Sequence, residues 1–351
     1  MPSSRLRVYQ YLPFLRQFSI EPAVLPAVPE PWFSRFYYSS SKGTRLIHYS
    51  GEILGSVARL IRGRQYDIIF VQKGILSTNW KGFDDLLGWA NKRLVFDLDD
   101  WVYGKSVVEF RSPLLRAFQD KNQTEKISSR SKAVVVGNAY LKKLALQYNS
   151  NVSIIPTPVD TGRFMPGKTK SVRKGDEVVI GWMGVAGGLE YVRLLEKVFR
   201  DLSKRYSIRL KLITRLGNES FRWDAVPIDY REWSYQSEVR EMEECDIGIM
   251  PLRDDEWSRG KCSLKLLQYM AMGLPSVSSR IGNNAEVIED GVDGFLAQEP
   301  EEWFEKLSRL IEDQILRKNM GEKARAKVVD RYSLEKTTPL LAKVLKDVYG
   351  A

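Results

Sequence analysis

The feature that most constrains this chain is an alternation that runs almost from end to end. Short runs of β-branched and apolar residues give way, repeatedly, to stretches with the three-to-four-residue apolar spacing of a helix. The runs are nearly continuous in Val, Ile and Leu, without polar residues at every second place, which fits strands covered on both faces. Strands that regularly alternate with crossover helices require parallel sheets. In the first half, strands are expected at AVLPAV (23–28), YDIIFVQ (66–72), RLVFDLD (93–99), AVVVGN (133–138) and VSIIPTP (152–158), with helices at 52–63 and 138–148. In the second half they are expected at EVVIGWMG (177–184), IRLKLIT (208–214), DIGIMPL (246–252), SVSS (276–279) and GFLA (294–297). Helices are expected there at 188–204, 236–244, 264–272, 301–312 and 314–331. The chain opens differently: Arg5 to Phe18 reads as helix broken near Pro13, where a doubly wound unit normally begins with a strand, so the first strand is expected to be missing.

A chain of 351 residues is longer than one hydrophobic core usually serves, and two domains are expected. The aperiodic, Pro/Gly/Lys-rich segment FMPGKTKSVRKGDE (164–177) marks the join. The expected division is a domain over 1–168, a second over 169–332, and a terminal helical segment over 333–351. Two doubly wound, Rossmann-like units facing each other across a cleft would place a ligand site at the carboxyl ends of their strands.

Composition narrows the class. With 43% hydrophobic and 28% charged residues, the chain is that of an ordinary globular protein. The 2 cysteines, Cys245 and Cys262, lack the paired spacing of a disulfide framework or zinc site and point to a reducing compartment. No apolar run approaches the ~18–20 residues of a spanning helix, and the first residues lack the uninterrupted apolar stretch and cleavage site of a signal peptide. A cytoplasmic location is expected, at most at the inner face of a membrane. The net charge of +10 is unevenly spread: residues 1–170 carry 25 Lys and Arg against 13 Asp and Glu, whereas residues 171–351 carry 29 against 31. The first half is therefore expected to face something anionic, such as a membrane surface or a phosphorylated acceptor. No nucleic-acid-binding signature accompanies the charge, and no nucleic acid is expected as a partner.

The stretch SRGKCSLKLLQYMAMGLPSVSSRIGNNAEVIEDGVDGFLA (258–297) carries the chemistry. Gly260 gives a flexible loop, Ser263 is an expected N-cap, and Leu264 to Met272 form an apolar-faced helix stopped by Gly273 and Pro275. A helix N-terminus presents exposed backbone N–H groups and about half a positive charge, which together bind anions. Lys261 and Lys265 bracket that terminus and could neutralise a diphosphate. As an isolated Gly-Lys pair they would read equally as surface lysines. Gly184, Gly187 and Gly188 lie between a strand and a helix and would let a ligand approach the backbone closely. Arg215 ends the next strand. Gly291 and Gly294 read as structural turn glycines.

The run K-x-x-x-K-x-x-Q-Y-M-A-x-G-x-P followed by E-x-I-x-D-G-x-x-G-F resembles the donor-binding region of family 4 glycosyltransferases, which have the GT-B fold. The likeness extends to IGWMGVAGGLEYVRLL (180–195), VVVGNAYL (134–141), IIPTPVDTGRF (154–164), LVFDLDDWVYG (94–104), 301–325 and RYS (331–333). The resemblance implies a retaining hexosyl transfer from a nucleoside-diphosphate sugar bound mainly by the second domain, and the basic first half points to a lipid-linked or cell-envelope glycan acceptor. The resemblance also implies that no metal or other cofactor is required, and that the final helix (334–349) crosses back to the first domain. Most members carry two glutamates eight positions apart where this chain has Gly260 and Gln268. Gln268 can still bond a ribose hydroxyl, without the charge that strengthens such a bond. Gly260 offers only backbone, leaving Asp254, Asp255 or Glu256 as neighbours for the sugar. The family's usual Arg and Lys fall at Val185 and Glu190, so phosphate charge rests on Lys261, Lys265 and Arg215. An inactive homologue, or a GT-B enzyme of another type such as a phosphorylase or epimerase, would share these features.

In the first half, FDLDD (96–100) ends a strand at the carboxyl edge of its sheet. Its D-x-D can be read as a metal ligand set, as a strand-end cap, or as polar contacts. The family resemblance, in which a His often stands at this strand end, favours Asp97 as a contact to the transferred sugar. His48, the only histidine, lies in a segment that nothing in the pattern marks as catalytic.

Overall fold

A computed structural model describes residues 2–26, 42–73, 80–90, 93–100, 116–167, 177–215, 223–224 and 226–351. The chain divides into two compact units, the first comprising Met1–Pro156 and Thr338–Ala351 and the second Thr157–Thr337. The division falls before the 164–177 segment, and residues 157–167 belong to the second unit; residues 168–176 lie outside the described residues.

The first unit holds a parallel sheet in the order β1 (Ile69–Gln72), β2 (Leu94–Leu98), β3 (Ala133–Val136), β4 (Val152–Ile154). Its inner strands β2 and β3 are buried at every residue, as their unbroken apolar runs require. Its helices include α1 (Pro2–Arg7), α2 (Leu12–Leu15), α3 (Lys42–Gly63), α4 (Phe83–Ala90), α5 (Gln123–Arg130) and α6 (Ala139–Ala145). Residues 23–26 of the expected opening strand are not extended in any sheet; 27–28 lie outside the described residues. The opening is helical instead. Short 3-10 turns at Tyr9–Tyr11 and Arg16–Phe18 flank α2, whose second residue is Pro13.

This opening is fixed to the sheet by one buried ion pair. Arg7 and Asp97 are 2% and 0% exposed. The Arg7 Nε donates to both Asp97 carboxylate oxygens at 3.2 and 3.1 Å, a second nitrogen closes the fork, and Nη1 donates to the Ile155 carbonyl at 2.7 Å. The pair thereby ties α1 to the carboxyl end of β2 and to the residue that follows β4. Burial alone would lower the Arg7 pKa; the Asp97 charge and hydrogen bonds outweigh it and hold the guanidinium above its ordinary value.

The second unit has a six-stranded parallel sheet in the order β10 (Phe295–Ala297), β9 (Ser276–Ser279), β8 (Ile247–Met250), β5 (Val178–Met183), β6 (Ile208–Thr214), β7 (Ile228–Glu232). β7 carries no apolar run in the sequence because IDYRE is polar and sits at the sheet edge, partly exposed. Around the sheet lie α7 (Leu189–Val192), α8 (Glu196–Ser203), α9 (Glu238–Glu243), α10 (Glu256–Arg259), α11 (Leu264–Ala271), α12 (Asn284–Val287), α13 (Pro300–Glu312) and α14 (Gln314–Arg331). The expected helix over 188–204 is interrupted by a 3-10 turn at Arg193–Leu195. The last helix, α15 (Leu334–Gly350), starts in the second unit and continues into the first.

Strand order locates the binding edge. β6 and β7 extend to one side of β5, and β8, β9 and β10 to the other, so the sheet reverses direction of growth between β5 and β8. The crossover connections leave on opposite faces there, opening a crevice at the carboxyl ends of these two strands.

Candidate functional site

The residues around that crevice are positioned by close backbone approach. α11 packs directly beneath β5 and β8: the Tyr269 hydroxyl accepts from the Met183 N–H at 2.9 Å, and a Cβ at Gly248 would lie 2.6 Å from the Tyr269 ring. Only glycine at 248 lets helix and strand meet at this distance. Beyond Met183 the chain turns at Gly184, whose N–H donates to the Ile213 carbonyl at 3.0 Å. A Cβ on Gly184 would meet both the Lys265 Nζ and the Trp182 ring at 2.8 Å, whereas one on Gly187 would meet nothing within 4 Å. The 184–188 turn is thus packed on its inner side and open at Gly187.

Lys265 is the centre of this arrangement. Its Nζ lies 4.6 Å from the centroid of the buried Trp182 ring, a contact worth about 2 kcal/mol when desolvated. The residue keeps part of its surface accessible, as the floor of an open site does, yet is densely enclosed by protein atoms. Burial, followed by repulsion from Lys261, lowers its pKa from 10.5 to about 7, and among the described residues no carboxylate counters this. A cation held without a counter-charge, in the crevice at a sheet's switch point, is an electrostatic vacancy for an anion.

The N-terminus of α11 completes it. Ser263 is the N-cap residue but does not cap: it sits in the left-handed region with φ of 54°, and its side chain makes no hydrogen bond to the first-turn N–H groups. Its hydroxyl instead donates to Asn284 Oδ1 at 2.7 Å and accepts from Asn283 Nδ2 at 3.1 Å. The following loop is seated closely enough that a Cβ on Gly282, itself at φ of 51°, would lie 2.8 Å from the Arg259 Cα. The 258–263 loop is therefore held by the 279–284 loop, and the first turn of α11 is left to bind something else. Trp182, Asn283 and Asn284 were not singled out from sequence. For Trp182 the signal was present in the glycines 184 and 188, both of which lie against its ring.

The remaining expected residues are distributed around this centre. Lys261 is half-buried with its Nζ 5.0 Å from the Trp257 ring centroid. Arg215 is exposed just beyond β6, in register with the 184–188 turn, its guanidinium 5.9 Å from the Trp233 ring. Gln268 is buried within α11. Of the acidic neighbours, Asp255 accepts from the Ser258 N–H at 2.7 Å as the N-cap of α10, and Asp254 pairs with Arg259 at 2.7 Å. Glu256 is exposed in the first turn of α10.

In the first unit, the expectation that Asp97 contacts substrate meets a different geometry. The carboxylate is wholly enclosed in its ion pair with Arg7, because the helical opening occupies that side of β2. The polar groups that remain partly accessible at this sheet edge are Asp99 and Asp100, bridged by Lys73 at 3.3 and 3.4 Å, and Gln72, which donates to Asp99 at 3.1 Å. Lys73 holds a left-handed conformation with φ of 64° to do so. Among the described residues no three His, Cys, Asp or Glu side chains come together. Cys245 and Cys262 are buried. His48 lies in α3.

Residues 181–313 match the family model described as glycosyl transferases group 1. The glycosyltransferase match begins inside β5 and ends after α13, so it contains Lys265, the uncapped helix and both supporting loops. Over 87 residues the chain is 33% identical to N-acetyl-alpha-D-glucosaminyl L-malate synthase of Bacillus anthracis, a match covering 24% of this chain and 23% of that protein. The chain thus spans under a third of the length of the curated relatives it matches. Among solved structures, a glycosyltransferase from Rickettsia africae superimposes with a TM-score of 0.66 at 12% identity, covering 99% of this chain and 95% of that one. The Anabaena protein HepE in complex with UDP-glucose superimposes at 0.63 with 16% identity, covering 85% and 84%. At such identities the likeness is one of fold, and the fold is GT-B: parallel α/β, with two Rossmann-like units.

Proposed function

We propose that the second unit binds a nucleoside-diphosphate sugar with its diphosphate on Lys265, the first turn of α11 and the 184–188 turn. The chain then transfers the hexosyl group, with retention, to a glycan or lipid-linked acceptor. The observation that carries this reading is the densely enclosed Lys265 side chain, which no carboxylate among the described residues counters, packed on Trp182 at the switch point of the second sheet. The group 1 glycosyltransferase match over the same residues supports it, as does the UDP-glucose complex of a protein with this fold.

In such a transfer the acceptor hydroxyl attacks as the sugar–phosphate bond breaks, and negative charge grows on the leaving diphosphate. Catalysis then consists mainly of fixed positive potential aimed at that charge. Lys265 supplies it: arrival of the diphosphate restores the proton that burial had loosened, and the charge is present as the bond breaks. Lys261 and Arg215 add charge from the rim, and Gln268 takes a ribose hydroxyl. Asp97 is assigned to holding the helical opening on β2. Bonding to the sugar falls to backbone near Gly260 and to Glu256. Neither a metal nor another cofactor enters this reading.

A melting-temperature screen with UDP, GDP, ADP and their glucose and N-acetylglucosamine esters tests it. One nucleotide class is expected to stabilise the chain, and the matching sugar ester to be consumed when an acceptor is supplied. No stabilisation by any of them would overturn the proposal, and stabilisation without consumption would reduce it to a nucleotide-sugar binder.

A further inference from the structure

Over residues 53–63 the helix α3 turns most of its apolar side chains outward. Of its described side chains, Leu54, Val57, Ala58 and Ile61 recur at the spacing of one helical face and are exposed, Leu54 at 72% and Ile61 at 57%. The opposite side buries Ser56 at 0%, together with Leu60 and Gly63. An ordinary surface helix would place its apolar residues inward.

The exposed face continues onto the neighbouring helix. α3 packs against α4, where Leu86 is exposed and Trp89 is exposed at 56%, and the Arg64 guanidinium lies 4.6 Å above the Trp89 ring. Arg62 and Arg64 are exposed beside the apolar residues. The acids of α4 are partly offset, since Arg130 pairs with both Asp84 and Asp85. Two packed helices thus each turn apolar side chains outward, joined at the Arg64–Trp89 contact, on the half of the sequence that holds the whole cationic excess. Among the described residues no helix is long and apolar enough to cross a membrane.

We propose that this face of α3 and α4 is the surface by which the chain rests on an anionic lipid bilayer. Apolar side chains would enter the headgroup region, Trp89 would sit at its polar boundary, and Arg62 and Arg64 would meet the phosphates. The charge complement selects a bilayer over a second copy of the chain, whose identical face would oppose arginine to arginine. The surface belongs to the first unit, and its use rests on the proposed function in that it would give a lipid-linked acceptor a place to meet the chain.

Flotation of the whole chain with vesicles tests this. The wild-type chain is expected to float with vesicles of phosphatidylglycerol and phosphatidylcholine at low salt, to release as salt rises, and to leave pure phosphatidylcholine vesicles unbound. Leu54→Asp with Ile61→Asp is expected to cut the bound fraction about fivefold or more, and Arg62→Gln with Arg64→Gln to cut it on anionic vesicles. All four sites are exposed, and an unchanged melting temperature shows that the variants fold. Equal flotation of wild type and the Asp variant would overturn the proposal. So would a wild-type chain that binds no vesicles, or a dimer that the Asp substitutions dissociate. Nucleotide binding, measured on the same preparation, reports on the donor site alone: vesicle binding without it leaves this surface standing, and nucleotide binding without flotation overturns it.

Discussion

At the scale of a single residue, Lys265 sets stability against function. Its folded-state pKa of about 7 lies below the ordinary 10.5 because burial, then Lys261, disfavours the charge. Between those values the unfolded chain binds a proton that the folded chain does not. The empty protein is therefore expected to gain stability from this group as pH rises from about 7 toward 10.5, the penalty being fully present below 7. Nucleotide affinity is expected to move oppositely, strongest below pH 7 and falling above it, which titrations at pH 6 and pH 8 would read. Lys265→Met keeps the packing on Trp182 and removes the charge. It is expected to raise the melting temperature of the empty chain while lowering nucleotide affinity about tenfold or more. A variant that loses stability and keeps affinity would show the lysine to be structural.

At the scale of elements, the site depends on how closely α11 is held. α14 crosses its C-terminal end so tightly that a Cβ on Gly321 would lie 2.0 Å from the Gly273 carbonyl oxygen, and Gly273 itself turns at φ of 66°. Arg325 of α14 donates to the carbonyls of Phe164, at 2.9 Å, and Ala271, linking the start of the second unit to the same corner. Because backbone meets backbone there, Gly321→Ala is expected to cost about 2–4 kcal/mol, measurable by denaturant unfolding. Most of these elements were legible from the sequence, since β2, β3, β5 and β8 are buried runs that only a covered parallel strand explains. The candidate site was legible in part. Gly184, Lys261 and Lys265 could be named because a loop, a helix start and basic residues coincide. The uncapped state of Ser263 was not legible, because a serine in that place normally caps and its partners Asn283 and Asn284 come from another loop. Nor was the engagement of Asp97, whose partner lies 90 residues away in a helical opening. β7 escaped because an edge strand needs no apolar run.

At the scale of the whole molecule, the two units divide the work as their charges do. The nearly neutral second unit encloses Lys265, which no carboxylate among the described residues counters, at its switch point, while the basic first half exposes apolar side chains on α3 and α4. The central claim is that the enclosed cation receives a nucleoside diphosphate. It is tested most directly by calorimetric titration of the stabilising nucleotide at pH 8, in two buffers of different ionisation enthalpy. The wild-type chain is expected to take up about one proton per nucleotide bound, as Lys265 regains its charge, and Lys265→Met to take up none. Tight binding with no proton uptake, or the same uptake in wild type and Lys265→Met, would contradict it.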